Sequence, residues 1–340
     1  MRRLDAGHPV PGCACRHSVL KATANVGLDL GGQIIKAVLV SPSGVLLDQA
    51  SLPSGADTDL PRLADMLTTL VGGLESSAGE TPDSSAALGL GVPGVLDSAG
   101  RLLGSPNLPA LQGVVLAERL AAALARPVLV ENDANCAALA EGLGGAAEGA
   151  PDYLLVTLGT GLGSGLVLGG KLYRGPSGRG CELGHTVIVQ GGRRCGCSAR
   201  GCLEAYVSET ATVAMVEELD TEQRSRLLAR AEQEDRGLAH SLFENAGDDE
   251  VAARLVGHMI AALGVGLASA VNSMDLPLIV LGGGLAPVFM ARVDDIRREI
   301  AAALFARGID ELRTVAAVHG RLAGAMGAAR LAGLAGVGVD

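Results

Sequence analysis

Two stretches of this chain open in the same order: an apolar run, a glycine-rich turn and a second apolar run. That repeat restricts the fold more than any other feature. The first copy is Ala24-Asn-Val-Gly-Leu-Asp-Leu-Gly-Gly32, followed by Ile34 to Val40. The second is Tyr153 to Leu158, Gly159-Thr-Gly-Leu-Gly-Ser-Gly165 and Leu166 to Leu168. Both read as strand, tight turn and returning strand, a weak internal duplication carried by element order and not by sequence identity. Val45 to Ala50, beyond Ser41-Pro-Ser-Gly44, extends the first copy into a meander. Further on, the spacing predicts helices over 59–76, 113–125, 134–142, 208–217, 222–246, 249–271, 288–306 and from about 322, with strands at 86–92, 127–130, 276–281 and 312–318. Alternating β and α units over 340 residues predict an α/β protein of two domains.

Composition removes several classes of function. A formal charge of −10 without a long basic block disfavours polyanion binding. With no Trp, three Tyr and three Phe, base-stacking platforms are not expected, so no nucleic-acid partner is predicted. Seven Cys is an odd number in a chain too long to need staples, which points to a reducing, cytoplasmic setting. Asp5, His8, Pro9 and Pro11 interrupt any apolar leader, so residues 1–22 read as a flexible extension without a signal or a lipid anchor. The most apolar stretch, Leu255 to Val271, contains His258 and Ser269. It reads as a buried helix, a membrane span being the minor alternative, and no membrane partner is predicted.

Three loops after predicted strands could cradle phosphate through backbone N–H groups: Asp29-Leu-Gly-Gly-Gln33, Gly159 to Gly165 and Gly282 to Gly284. A dinucleotide fingerprint is a poor fit, because Ser164 stands where a glycine is required and a strand follows where a helix is needed. The stretch Gly165 to Lys171 mimics a P-loop by accident, Leu172 replacing the Mg²⁺-binding hydroxyl. Each loop alone is as readily an ordinary turn; together, one of them opened by a carboxylate, they favour nucleotide binding.

His185 precedes Cys195-Gly-Cys197-Ser-Ala-Arg-Gly-Cys202 by ten residues. One imidazole and three thiolates match a closed, structural Zn²⁺ site better than a set of unligated thiols. The second nitrogen of His185 would remain for a substrate hydroxyl, the metal fixing the ring. Glu182 and Glu204 could accept further hydroxyls, although a solvated surface carboxylate is the default for either alone. Cys13, Cys15 and His17 read as a solvated tail. Glu131-Asn132-Asp133 stands at a strand-to-helix junction, where Asn and Asp are favoured simply as caps. Beside phosphate loops and hydroxyl binders, Asp133 also suits a general base, and the helix N-terminus is expected to lower its pKa.

Asp29-Leu-Gly-Gly, Gly91-Val-Pro-Gly94, Ser105-Pro-Asn-Leu-Pro109, Glu131-Asn-Asp133, Leu158-Gly-Thr-Gly, Glu182-Leu-Gly-His185, Cys195-Gly-Cys-x₄-Cys-Leu-Glu204 and Leu281-Gly-Gly-Gly follow in the order of the ROK family (repressors, open reading frames, kinases). The chain resembles that family over about residues 24–335. The resemblance implies an actin-like (ribonuclease H-like) duplicated sugar kinase fold with an interdomain cleft. One domain would comprise residues 23–130 with 322–340, the other residues 131–321 with the zinc segment. It also implies ATP with Mg²⁺, a structural Zn²⁺ and a sugar acceptor. By the same resemblance Asp133 would be the catalytic base. Asn132, Glu182, His185 and Glu204, with Gly94 and Asn107 beside Asp133, would contact the sugar. Asp29, Gly31, Gly32 and Gln33, with Thr160 and Gly161, would form the phosphate loops, and Gly282, Gly283 and Gly284 would lie near the adenosine. His185, Cys195, Cys197 and Cys202 would hold the zinc.

Two positions depart from the family pattern. Gln33 replaces the usual Thr, and Cys181 stands where Gly is normal, which would matter if that position needs a glycine backbone. The expected activity is ATP-dependent phosphorylation of a hexose, glucose first, with N-acetylmannosamine, N-acetylglucosamine, mannose, fructose and allose open. A sugar-sensing regulator is the rival, set aside because about 23 residues before the first strand cannot hold a helix-turn-helix. A non-catalytic sugar binder is the third reading. A homodimer or homotetramer is expected from small-residue helix faces and the resemblance.

Overall fold

The structure, a computed structural model, describes residues 24–77 and 86–335. The expected extension 1–22, with Cys13, Cys15 and His17, lies outside the described residues. The first half runs β1 (Asn25–Leu30), β2 (Ile34–Val40), β3 (Leu46–Pro53), α1 (Leu60–Ser77), β4 (Leu88–Val92), β5 (Val95–Leu96), β6 (Leu102–Gly104), α2 (Leu116–Leu124), β7 (Val128–Asn132) and α3 (Asp133–Glu141). The second half runs β8 (Tyr153–Leu158), β9 (Leu162–Leu168), β10 (Lys171–Leu172), α4 (Glu204–Val207), α5 (Glu209–Glu217), α6 (Thr221–Gln233), α7 (Leu238–Asn245), α8 (Glu250–Met274), β11 (Leu278–Gly282), α9 (Ala286–Met290), α10 (Val293–Ala303), β12 (Arg313–Ala316) and α11 (Ala323–Ala335).

The duplication is a matter of topology. One sheet has the order β3-β2-β1-β4-β7 and the other β10-β9-β8-β11-β12. In each, the three meander strands are antiparallel and the last two add in parallel, Leu28 opposite Leu90 in one sheet and Val280 opposite Leu155 in the other. Such parallel strands are buried on both faces, hence the unbroken apolar runs Leu88 to Val92 and Leu278 to Gly282. One face of the first sheet is covered by α1, whose Leu63, Leu67, Leu70 and Leu74 recur at helical spacing, and by Leu116 and Leu120 of α2. The corresponding face of the second sheet carries α8, whose most apolar stretch is mainly buried within the protein, in keeping with a core helix.

The remaining faces are covered crosswise. Helix α3 leaves the first sheet and packs Ala137 and Ala138 against Leu155 and Val167 of the second. Helix α11 leaves the second sheet and packs Ala325 and Ala329 against Val38 of the first. The two helices touch where they cross: a Cβ on Gly327 would lie 1.6 Å from the Cys136 carbonyl oxygen. Only glycine permits that approach.

Several boundaries differ from expectation. The long helix expected at 222–246 is two helices, because Asp235 takes a left-handed φ of 49° and the Glu209 carboxylate caps the Leu238 N–H at 2.7 Å. The helix expected at 288–306 is also two, and it stops early where Asn272 binds both the Ala303 carbonyl and the Phe305 N–H. The loop expected over Gly159 to Gly165 is short, since β9 begins at Leu162. Gly163 and Gly165 are strand residues that let α3 lie close: Cβ atoms there would sit 2.9 Å and 2.6 Å from the Cβ atoms of Ala134 and Ala138.

Candidate active site

A cleft of about 910 Å³ and a smaller chamber of about 290 Å³ share Asp133, Thr157 and Gly283 in their walls. Gly94, Asn107, Asn132, Glu182, His185, Glu204, Thr160 and Gly161 line the cleft. Asp29, Lys36, Gly282, Gly283, Gly284, Arg321 and Gly324 line the chamber. The short hairpin β5–β6, not foreseen from sequence, contributes Val95 and Gly104 to the cleft wall.

The segment Glu131-Asn132-Asp133 divides its labour. Asn132 is the cap of α3: its Oδ1 accepts from the N–H groups of Ala134 at 2.9 Å and Asn135 at 3.0 Å, and its Nδ2 donates to the Gly94 carbonyl. Asp133 faces both cavities and accepts the Ala134 N–H at 2.8 Å. Burial drives its carboxyl up to about 7, and the neighbouring charges of Asp29 and Glu182 push the same way. The expected lowering by the helix N-terminus is present, in backbone N–H groups that favour the carboxylate, but desolvation outweighs it. Asp29 is also raised by burial, against the opposing pull of Lys36, whose Nζ lies 3.2 Å away. A carboxyl near neutrality facing an acceptor cleft can take a proton at physiological pH.

Across the cleft, Nδ1 of His185 and the sulfurs of Cys195, Cys197 and Cys202 all lie within 4.8 Å of one another. The Cys197–Cys202 sulfurs are 3.7 Å apart and Cys195 is 3.7 Å from the imidazole. Tetrahedral Zn–S bonds of about 2.3 Å place sulfurs about 3.8 Å apart, so the four donors fit a zinc ion. His185 also lines the cleft. Glu204 hangs from the same cluster: one oxygen accepts from the Cys195 thiol at 3.6 Å, the other from the Leu162 N–H at 2.9 Å.

The ROK family sequence model matches residues 25–334. A glucokinase of Halalkalibacterium halodurans is 32% identical over 311 residues, 89% of this chain and 92% of that one. The chain belongs to the ROK family. Among solved structures, the ROK hexokinase from Thermus thermophilus is 35% identical, with a TM-score of 0.75 over 92% of this chain and 99% of that one. A ROK family glucokinase from Streptomyces griseus, in complex with glucose and AMPPNP, is 31% identical with a TM-score of 0.73, over 91% and 98%. The fold is accordingly the actin-like sugar kinase fold expected from the motifs.

Within this ROK chain, Gly31, Gly32 and Gln33 line neither cavity. Gln33 is exposed, its carbonyl accepting the Ser54 N–H, and Gly32 abuts Asn107. Cys181 does take the left-handed backbone, with φ of 65°. Ser164 holds it there, donating to the Cys181 carbonyl at 2.5 Å and accepting the Leu183 N–H at 3.1 Å. Sequence reasoning missed Lys36, Thr157 and Arg174. Lys36 carried a signal as a lone cation in an apolar strand seven residues after Asp29; Thr157 and Arg174 carried none, since only the folded register brings them to the site.

Proposed function

We propose that the protein is an ATP-dependent hexokinase whose preferred acceptor is glucose, phosphorylated on its primary hydroxyl. The observation that carries this reading is the position of Asp133 in the wall common to the cleft and the chamber. A sugar in the cleft, held by Asn107, Glu182, His185 and Glu204, would present its hydroxyl to the Asp133 carboxylate. A nucleotide reaching along Gly282 to Gly284 would bring its γ-phosphate to the same wall. Asp133 takes the hydroxyl proton as the new O–P bond forms and the bond to ADP breaks; alignment and charge neutralisation supply most of the rate. Lys36 and Arg321 supply positive charge beside the phosphates, and Asp29 is the chamber carboxylate available to the Mg²⁺ that accompanies ATP. His185, Cys195, Cys197 and Cys202 would hold a structural zinc that fixes the imidazole and Glu204 and takes no part in the transfer. We read the two sheets as the cores of two lobes that meet at the start of α3, with the site lying between them; the boundary expected at residue 131 falls inside β7, a strand of the first sheet.

The test is coupled ADP release from ATP, and from polyphosphate as rival donor, across glucose, mannose, N-acetylmannosamine, N-acetylglucosamine, fructose and allose. Sugar-dependent turnover with ATP, highest with glucose and lost in Asp133→Asn, is expected. A folded, zinc-loaded protein that releases no ADP with any of these sugars would sink the reading.

A further inference from the structure

The acid next to the site carries a second assignment. Glu131 is almost fully buried, yet its carboxylate is completely committed. Oε1 accepts the Asn132 N–H at 2.8 Å and the Asn135 amide at 2.9 Å, while Oε2 pairs with Nε of Arg174 at 2.5 Å. Arg174 belongs to the other half of the chain, just after β10. Its backbone carbonyl accepts the Gly180 N–H at 2.8 Å, closing the loop 174–180 and setting the start of Cys181-Glu182. At the far side of that loop, Gly178 comes so close to the Asp97–Ser98 turn of the first half that a Cβ there would sit 2.9 Å from Asp97 and Ser98 backbone atoms.

We propose that Arg174 is a positioning residue for phosphoryl transfer, joining the acceptor-binding segment of one half to the catalytic segment of the other. The path is continuous in bonded contacts: Glu182 segment, Arg174 carbonyl, Arg174 guanidinium, Glu131 carboxylate, Asn132 N–H, Asp133. One end fixes where the sugar is held and the other fixes where its proton goes. A buried carboxylate is retained at such a place only if paired, because an unpaired one destabilises the fold. A guanidinium suits this task better than an ammonium, since it binds through a fixed planar geometry. Arg174 is itself half-exposed, so its replacement opens no cavity in the core, and a thermal melt of each variant reports what the unpaired Glu131 carboxylate costs the fold. The proposal rests on the hexokinase reading above.

Steady-state kinetics of Arg174→Gln, Arg174→Lys, Glu131→Gln and the double variant test it. Arg174→Gln is expected to lower kcat/KM for the sugar at least tenfold, through a higher sugar KM and a lower kcat together, with the nucleotide KM unchanged. Arg174→Lys should recover part of that loss. The double variant should be no worse than the poorer single one, since both remove the same link. Wild-type kinetics in Arg174→Gln, or a loss shared equally by sugar and nucleotide KM, overturns the proposal. If Glu131→Gln folds poorly in a thermal melt, the Gln and Lys variants at position 174 decide the matter. Wild-type protein without sugar-dependent ADP release refutes the hexokinase reading itself, and is distinguished by that result from a failure at Arg174 alone.

Discussion

At Asp133 the same burial that would suit the proposed base works against the fold. A base with a pKa of about 7 is largely ionised above neutrality and protonated below it, so kcat/KM should rise with pH through about 7 and then level. Asp133→Asn should lose at least about 10²-fold in kcat at pH 8, measured by ADP release, and its activity should no longer rise with pH through about 7. For stability the sign follows from the direction of the shift. Folding raises the pKa from 3.8, so ionising the group costs the folded state progressively as pH rises from about 4, and the cost is complete above about 7. Asp133→Asn is therefore expected to be more stable than the wild type at pH 8, with the difference vanishing near pH 4 in urea titrations. Its ceiling is about 4 kcal/mol, reduced because the cleft is open to water. An inactive variant that is also less stable at pH 8 would contradict the desolvated environment described for Asp133. Sequence reading reached this residue through its neighbours in the motif and gave the lowering by the helix N-terminus, but not the burial that outweighs it, because desolvation depends on packing that a pattern does not carry.

At the scale of elements, glycines make the crossing of α3 over α11 possible, and here the sequence was least legible. A chain with 49 glycines invites every cluster to be read as a turn, whereas Gly163, Gly165 and Gly327 stand inside strands or helices and serve as contact points. Their role is visible only once the partner backbone is placed. Two matched substitutions separate the cases. Gly327→Ala drives a methyl into the Cys136 carbonyl and should destabilise by about 3 kcal/mol or more. Gly257→Ala, on the exposed side of α8 with nothing within 4 Å, should stabilise by about 1 kcal/mol. Denaturant midpoints for the two variants should move in opposite directions. The clustering of His185 with Cys195, Cys197 and Cys202 was, by contrast, legible, since these residues are close in sequence and chemically distinctive. Cys197→Ser, replacing an exposed ligand, should lower bound zinc measured by atomic absorption and raise the sugar KM severalfold, with little effect on the nucleotide KM, because His185 and Glu204 lose their anchor.

Over the whole molecule, the duplication places one acid, Asp133, in the walls of both cavities. Each half ends in a helix laid on the other half's sheet, so the junction between them is the crossing of α3 and α11, and both cavities open beside it. The cleft draws its wall from Gly94 and Asn107 on one side and from Glu182 and Glu204 on the other; the chamber draws on Asp29 and Lys36, and on Gly282 to Gly284. On the proposed reading each ligand would bridge the two halves, and binding one would remove freedom that binding the other would have to remove again. Glucose and a non-hydrolysable ATP analogue should consequently bind with positive coupling, each tightening the other by the same factor, as linkage requires. Calorimetric titration of the analogue with and without saturating glucose measures that factor. A fivefold or greater increase in affinity, reproduced when the order of addition is reversed, is the expected result. Equal affinities would mean that the halves are already fixed in their working arrangement, and the Arg174–Glu131 link would then hold a site that does not need to close.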